Sequence, residues 1–322
     1  MKKKLVGLLV GMGLIVGGAT QAQAVTFLTG DIFASVASGN VKHYLADGTF
    51  LETLNIGTSG YTTGMAFDAA GNLYVTGFSA GTVAKFDTNG VLLGNFATGL
   101  STPESIVFDN AGNAYVGTLG GGIVKFAPDG TNLGGVGPSS DWIDLAADQT
   151  TMLNTHEGTV INAHDLATNT ALTDFASGYG GTQAFALRIL SDGGVLLADR
   201  VNVKRFNSAG AVIQLYDIAG EDSWFALNLN PDGTSFWSGN FNSSNLYEFD
   251  IASGANTQTL NTGTGSGTLF GVGIFGEHTQ GCTTCGGGDG GVVPEPSSLL
   301  LFGLGGLSVV GLFTNRRKSQ VC

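Results

Sequence analysis

Gly64-Met65-Ala66-Phe67-Asp68-Ala69-Ala70-Gly71-Asn72-Leu73-Tyr74-Val75 is matched, 41 residues later, by Ser105-Ile106-Val107-Phe108-Asp109-Asn110-Ala111-Gly112-Asn113-Ala114-Tyr115-Val116. A second match follows each copy at an offset of 40: Val83-Ala84-Lys85-Phe86-Asp87-Thr88-Asn89-Gly90 against Ile123-Val124-Lys125-Phe126-Ala127-Pro128-Asp129-Gly130. Self-similarity at this period marks a repeat architecture. Each unit reads as four short strands. The first ends at Phe67, and the turn Asp68–Asn72 leads to a second at Leu73–Thr76. A third spans Thr82–Asp87, and after Thr88-Asn89-Gly90 a fourth runs Val91–Phe96. Asn-Gly and Asp-Gly supply the positive φ that tight hairpins need.

Weaker copies span 142–175, 185–216 and 225–260, with Ser191-Asp192-Gly193-Gly194 and Pro231-Asp232-Gly233 as turns. At the N-terminal side, Ile32–Val36, Val41–Leu45 and Phe50–Asn55 read as strands two to four of a unit lacking its first. Leu269–Phe275 reads as a first strand with nothing after it. Joined, they complete a sixth unit. The expected fold is all-β: a six-bladed β-propeller over 25–280, closed by strands from both ends, which removes exposed sheet edges. The 53 glycines, without a three-residue period, fit many tight turns. A hydrophobic fraction of 43% suffices for a core. The pattern Pro103-Glu104-Ser105-Ile106-Val107-Phe108-Asp109, continued by Lys125-Phe126, resembles NHL-type and streptogramin-lyase-like propellers. It matches two units well and three loosely.

The two ends read as addresses. Lys2–Lys4, the apolar run Leu5–Ala19 and the small-x-small site Ala22-Gln23-Ala24 form a signal peptide over 1–24, cut before Val25 by signal peptidase. Residues 281–292 form a glycine-rich linker, flexible by composition. Residues 293–322 hold Pro294-Glu295-Pro296, then an apolar run Leu299–Phe313, then Arg316-Arg317-Lys318. Physically this is a short transmembrane helix whose basic cluster stays cytoplasmic. The order of the three parts resembles the PEP-CTERM sorting signal. That resemblance implies processing by exosortase, a Gram-negative-type bacterial host, and a setting of extracellular polysaccharide and biofilm. The expected path is anchoring in the inner membrane, then release to the cell surface or beyond.

The net charge is -12, but six of the 13 basic residues sit in the two terminal clusters. The body between them is therefore close to -18. Such a field excludes nucleic-acid binding and tolerates cations and neutral sugars. The cysteines Cys282, Cys285 and Cys322 lie outside the expected core. In an oxidising compartment Cys282 and Cys285 can form a local disulfide.

Propeller ligands sit at the channel mouth, where loops enter the innermost strands. Those loops carry Thr62, Thr63, Pro103, Glu104, Asp141, Trp142, Gln183, Glu221 and Asp222, with Asp144 just inside its strand. Glu104, Asp141 or Asp144, and Glu221 or Asp222 come from three blades and are candidates to converge on Ca²⁺ through hard oxygen ligands. Trp142 and Trp224 stand beside them in sequence, as candidates to stack on a sugar face. The competing reading is that an acidic protein has acidic loops. His156-Glu157 follows a second strand, where a hairpin loop explains it. Asp68-x-x-Gly71-Asn72 and its copy at Asp109 lack calcium-loop spacing and read as turns. No G-x-S-x-G, P-loop or H-E-x-x-H occurs. The first reading of function is thus a binding or interaction module that contacts polysaccharide or other surface proteins. The alternative is a metal-dependent lactonase- or lyase-like enzyme at the channel.

Overall fold

The computed structural model describes residues 25–283 and 285. The signal segment with Ala22 and Ala24, most of the linker, and the tail with Pro294, Glu295, Pro296, Arg316, Arg317 and Lys318 lie outside them. Among the described residues no helix is long and apolar enough to cross a membrane.

The strands fall into six antiparallel sheets arranged as blades. Blade 1 is Leu269–Ile274, Ile32–Val36, Asn40–Tyr44 and Phe50–Asn55, in that spatial order. Ile32 pairs with Ile274 and Ala34 with Val272, so strands from the two ends of the body join one sheet. Blade 2 opens with the inner strand Thr62–Phe67, blade 3 with Pro103–Phe108 and blade 4 with Ile143–Leu145. Blade 5 opens with Ala184–Ile189 and blade 6 with Trp224–Leu229. Each inner strand packs against the inner strands of both neighbouring blades, which closes the ring.

Burial is graded along each blade. Leu73–Gly77 of blade 2 is buried throughout, whereas its outer strand Leu92–Ala97 is mostly exposed. Strands covered on both faces read as unbroken apolar runs, and outer strands do not. In blade 4 the outer strand is broken into Thr170–Ala171 and Ala176–Ser177, both paired to Val160–Asp165.

The repeated letters Asp-x-x-Gly-Asn-x-Tyr and the following Lys form one hydrogen-bonded group. Asp68 Oδ1 accepts from the backbone N–H groups of Ala70 and Asn72, at 3.0 and 2.9 Å. Its Oδ2 accepts from Tyr74 Oη at 3.1 Å and lies 3.5 Å from Lys85 Nζ, which sits over the Tyr74 ring. Asp109, Asn113, Tyr115 and Lys125 repeat the arrangement. Both Asp motifs are therefore hairpin turns.

Beyond the last inner strand, residues 276–283 cross the end of the ring where the inner strands finish. Glu277 Oε1 accepts from Arg188 Nε of blade 5 at 2.8 Å and from Leu229 N of blade 6 at 2.9 Å. Gly281 packs on Leu145 of blade 4, and Thr283 N donates to Asn110 Oδ1 of blade 3. Cys282 and Cys285 are disulfide-bonded. Cys282 is buried in a cluster with Ile106 and Phe108, contrary to the expectation that the cysteines stay out of the core. Inside the strap a void of about 20 Å³ remains, lined in part by Val107, Arg188 and Glu277, room for a single water. The channel is therefore stoppered at this end and open only at the other.

Candidate functional site

At the open end, five inner strands carry the same irregularity. Register shifts lie between Thr62 and Met65, Pro103 and Ser105, Ala184 and Leu187, and Trp224 and Ala226, with a matching shift opposite Leu269. Such a bulge leaves one extra residue out of the ladder and re-aims its side chain. The residue concerned is the second of each inner strand: Thr63, Glu104, Phe185, Phe225 and Phe270. Blade 4 enters through Asp141, whose N–H donates to Thr155 O, and it holds the equivalent place. The six form a two-sided ring: Thr63, Glu104 and Asp141 on one side, three phenylalanines on the other.

The acidic side is desolvated. Asp141 is fully buried and accepts no hydrogen bond among the described residues; His156 Nδ1 stands 3.6 Å from its Oδ1. Burial pushes the Asp141 carboxyl up to about 6; Glu157 adds to the rise and His156 opposes it. Glu104, 6% exposed, is pushed up to about 8, by burial first and then by Asp141 and Glu157. Near neutral pH one carboxyl is thus mainly protonated and its neighbour mainly ionised. Proton affinities set apart in this way let a site both donate to and accept from hydroxyl groups.

The aromatic side continues outward as an arc. Ring centroids lie 4.7 Å apart for Phe185–Phe225, 6.1 Å for Phe225–Phe241, 5.4 Å for Phe241–Phe270 and 4.4 Å for Phe270–Tyr61. A cleft of about 270 Å³ opens over its first half, rimmed by Glu157, Gln183, Arg200, Ser223 and Asn242. Gln183 bridges the rim: its Nε2 donates to Glu157 Oε2 at 3.1 Å, and its Oε1 accepts from Arg200 Nη1 at 3.3 Å. Asn242 Nδ2 donates to Ser223 Oγ at 2.6 Å.

Of the five acids weighed from the sequence as one metal set, Glu104 and Asp141 lie together and the rest lie elsewhere. Glu104 is at the mouth. Asp144 lies three residues beyond Asp141, about 10 Å along a strand, at the stoppered end. There its Oδ2 accepts from Ile189 N at 2.7 Å, and burial raises it to about 6 against the pull of Arg188. Glu221 is held by Tyr247 Oη at 2.5 Å and Asn245 Nδ2 at 3.0 Å, and Asp222 is exposed. Among the described residues no three His, Cys, Asp or Glu side chains stand close enough to share a metal ion. Trp142 and Trp224 are buried in the core between blades 5 and 6, so they present no sugar-stacking face. The phenylalanines that do line the mouth went unnoticed in the sequence. Their signal was there: aligning the inner strands on their last apolar residue puts Phe185, Phe225 and Phe270 in one column with Glu104.

A PEP-CTERM protein-sorting motif model matches residues 292–318, which include Pro294-Glu295-Pro296 and Arg316-Arg317-Lys318. This chain carries a PEP-CTERM sorting motif. The motif marks an exported protein sorted by exosortase. A strictosidine synthase-like, N-terminal model matches residues 97–126, most of blade 3. No curated protein matches in sequence. Among solved structures, a chain of the crystal structure of a nidogen/laminin complex is similar with a TM-score of 0.63 and 15% identity, over 75% of this chain and 97% of that one. The WD40 β-propeller domain of Doa1 is similar with a TM-score of 0.57 and 13% identity, over 79% and 86%. At such identities the likeness establishes the propeller fold and leaves function to the site.

Proposed function

We propose that the PEP-CTERM protein is a surface or extracellular-matrix binding module whose open channel mouth takes a polyhydroxylated chain, an exported polysaccharide of the kind found in biofilms. The signal segment 1–24 and signal peptidase take it across the membrane of a Gram-negative bacterium. The tail holds it at the inner membrane until exosortase acts, and the body is then displayed. The observation that carries the binding reading is the two-sided mouth. Flat aromatic faces cover the apolar faces of sugar rings, and the steps between them are about one pyranose residue long. Opposite them, Glu104 offers a carboxyl that burial keeps protonated, a donor to a hydroxyl group, with Asp141 buried behind it. Concave, largely apolar sites with a few convergent polar groups are where propellers and other folds bind ligands.

Affinity electrophoresis or calorimetry with soluble polysaccharides tests this. The expected result is binding that Phe225→Ala weakens at least tenfold at a temperature where circular dichroism shows the variant still folded. Unaltered binding in that variant, or no binding to any polysaccharide, overturns the reading.

A second reading is a lactonase- or lyase-like enzyme at the same mouth. It is favoured by the separated proton affinities of Glu104 and Asp141, as general acid–base work requires. Turnover of a lactone panel with and without Ca²⁺ tests it. Activity unchanged in Glu104→Ala removes it.

A further inference from the structure

We infer that Arg200 receives a carboxylate of the bound chain, so that the site selects an acidic, uronate-bearing polysaccharide over a neutral one. This rests on the glycan-binding reading above and specifies its ligand.

The argument starts from where this acidic body uses its few cations. Lys85, Lys125, Arg188, Lys204 and Arg205 each lie within 4 Å of a carboxylate. Lys42 donates to the carbonyl of Thr262 at 2.7 Å. Arg200 alone among the described lysines and arginines has neither a carboxylate within 4 Å nor a bond to a backbone carbonyl; its one hydrogen bond goes to the Gln183 amide oxygen. Its guanidinium lies on the rim of the aromatic cleft with most of its donors uncommitted.

That isolation is built. Glu157 lines the same cleft, and in an acidic protein an ion pair between the two is the expected outcome. Instead the Gln183 amide stands between them, donating to one and accepting from the other. Both end residues also hold left-handed backbone conformations that L-residues rarely adopt, Glu157 at φ 49° and Arg200 at φ 38°. Strain of this kind persists where surrounding structure enforces it, and it gathers at ligand sites. The enforcing contact at Arg200 is its carbonyl, which accepts from Trp224 N at 2.7 Å at the entry of blade 6.

A guanidinium with free parallel donors binds a carboxylate bidentately, which a neutral sugar hydroxyl cannot match. Phe185 and Phe225 form the floor beside it, so the sugar ring that carries the carboxylate can stack while its charge reaches Arg200. The surrounding negative field disfavours a polyanion at long range. At about 0.15 M salt the screening length is about 8 Å, so the local contact dominates.

The test compares polygalacturonate, its fully methyl-esterified form and dextran against the full-length protein at that ionic strength. Wild type is expected to bind the acid polymer at least tenfold more tightly than the ester. Arg200→Gln should abolish that preference, bringing acid-polymer affinity down to that of the ester; Arg200→Lys should retain part of it. Equal affinity for acid and ester in wild type overturns the inference, as does an equal loss of both in Arg200→Gln. Binding to ester or dextran but not to the acid overturns it while leaving the glycan-binding reading intact. Binding to none of the three overturns both.

Discussion

Glu104 shows how one bulged position converts a surface acid into a desolvated one. Its carboxyl is held near 8 in the folded protein, against an ordinary value of 4.5. The fold therefore binds a proton that the unfolded chain releases between those values, so wild-type stability falls as pH rises from about 4.5 to about 8. Glu104→Gln mimics the neutral form. Its melting temperature should track wild type near pH 4 and exceed it above pH 8, by a margin on the order of 3 kcal/mol in stability. Calorimetry across that pH range checks the sign. At the other end of the channel Arg188 and Glu277 are both buried. Burial works against the Arg188 charge, but Glu277 and Asp144 outweigh it. Glu277→Gln leaves the guanidinium half-compensated and should cost about 3 kcal/mol or more in urea denaturation. Neither role was legible in the sequence. Asp141 and Asp144 look alike there, and Glu277 sits in what reads as the approach to a linker.

Among the elements, the inner strands are the most constrained, because each faces two neighbours at once. Gly271 of blade 1 meets Thr63 of blade 2 so closely that a Cβ would overlap the Thr63 carbonyl. Gly64 stands in the same relation to the Glu104 carbonyl. Gly271→Val should therefore destabilise by about 3 kcal/mol, since closing the strands into a ring leaves no direction in which to relax. Thermal unfolding of the variant measures this. The turns are more forgiving, being held by local bonds from Asp68 and Asp109. Those bonds are also why blades 2 and 3 were readable: side chain and backbone partners lie within a few residues of one another. Blade 4 was harder to read because its outer strand breaks between Ala171 and Ala176, where the sequence has neither glycine nor proline to announce the break.

At the scale of the molecule, closure by strands from both ends makes the six blades one cooperative unit, and the strap gives that unit two unlike faces. The strap lies on the stoppered face and the mouth on the opposite one. A body near -18 repels itself, so added salt should raise its melting temperature at pH 8. Differential scanning fluorimetry between about 0.02 and 0.5 M NaCl, ionic strengths that shorten the screening length severalfold, tests that direction; a flat or falling trend counts against it.

The repeat, the six blades, the shared closing blade and the sorting motif were all determined by the sequence itself. Each depends on local chemistry: turn residues, apolar runs and a short ordered motif that needs no partner from elsewhere in the chain. The mouth was decided only by the tertiary structure. The sequence can align the mouth positions in one column, but that the column faces the mouth depends on a bulge in each inner strand. Which side chains then meet depends on closing the ring, which brings Glu104 beside Asp141, sets Phe185 against Phe225, and carries Asp144 to the far end with Arg188 and Glu277.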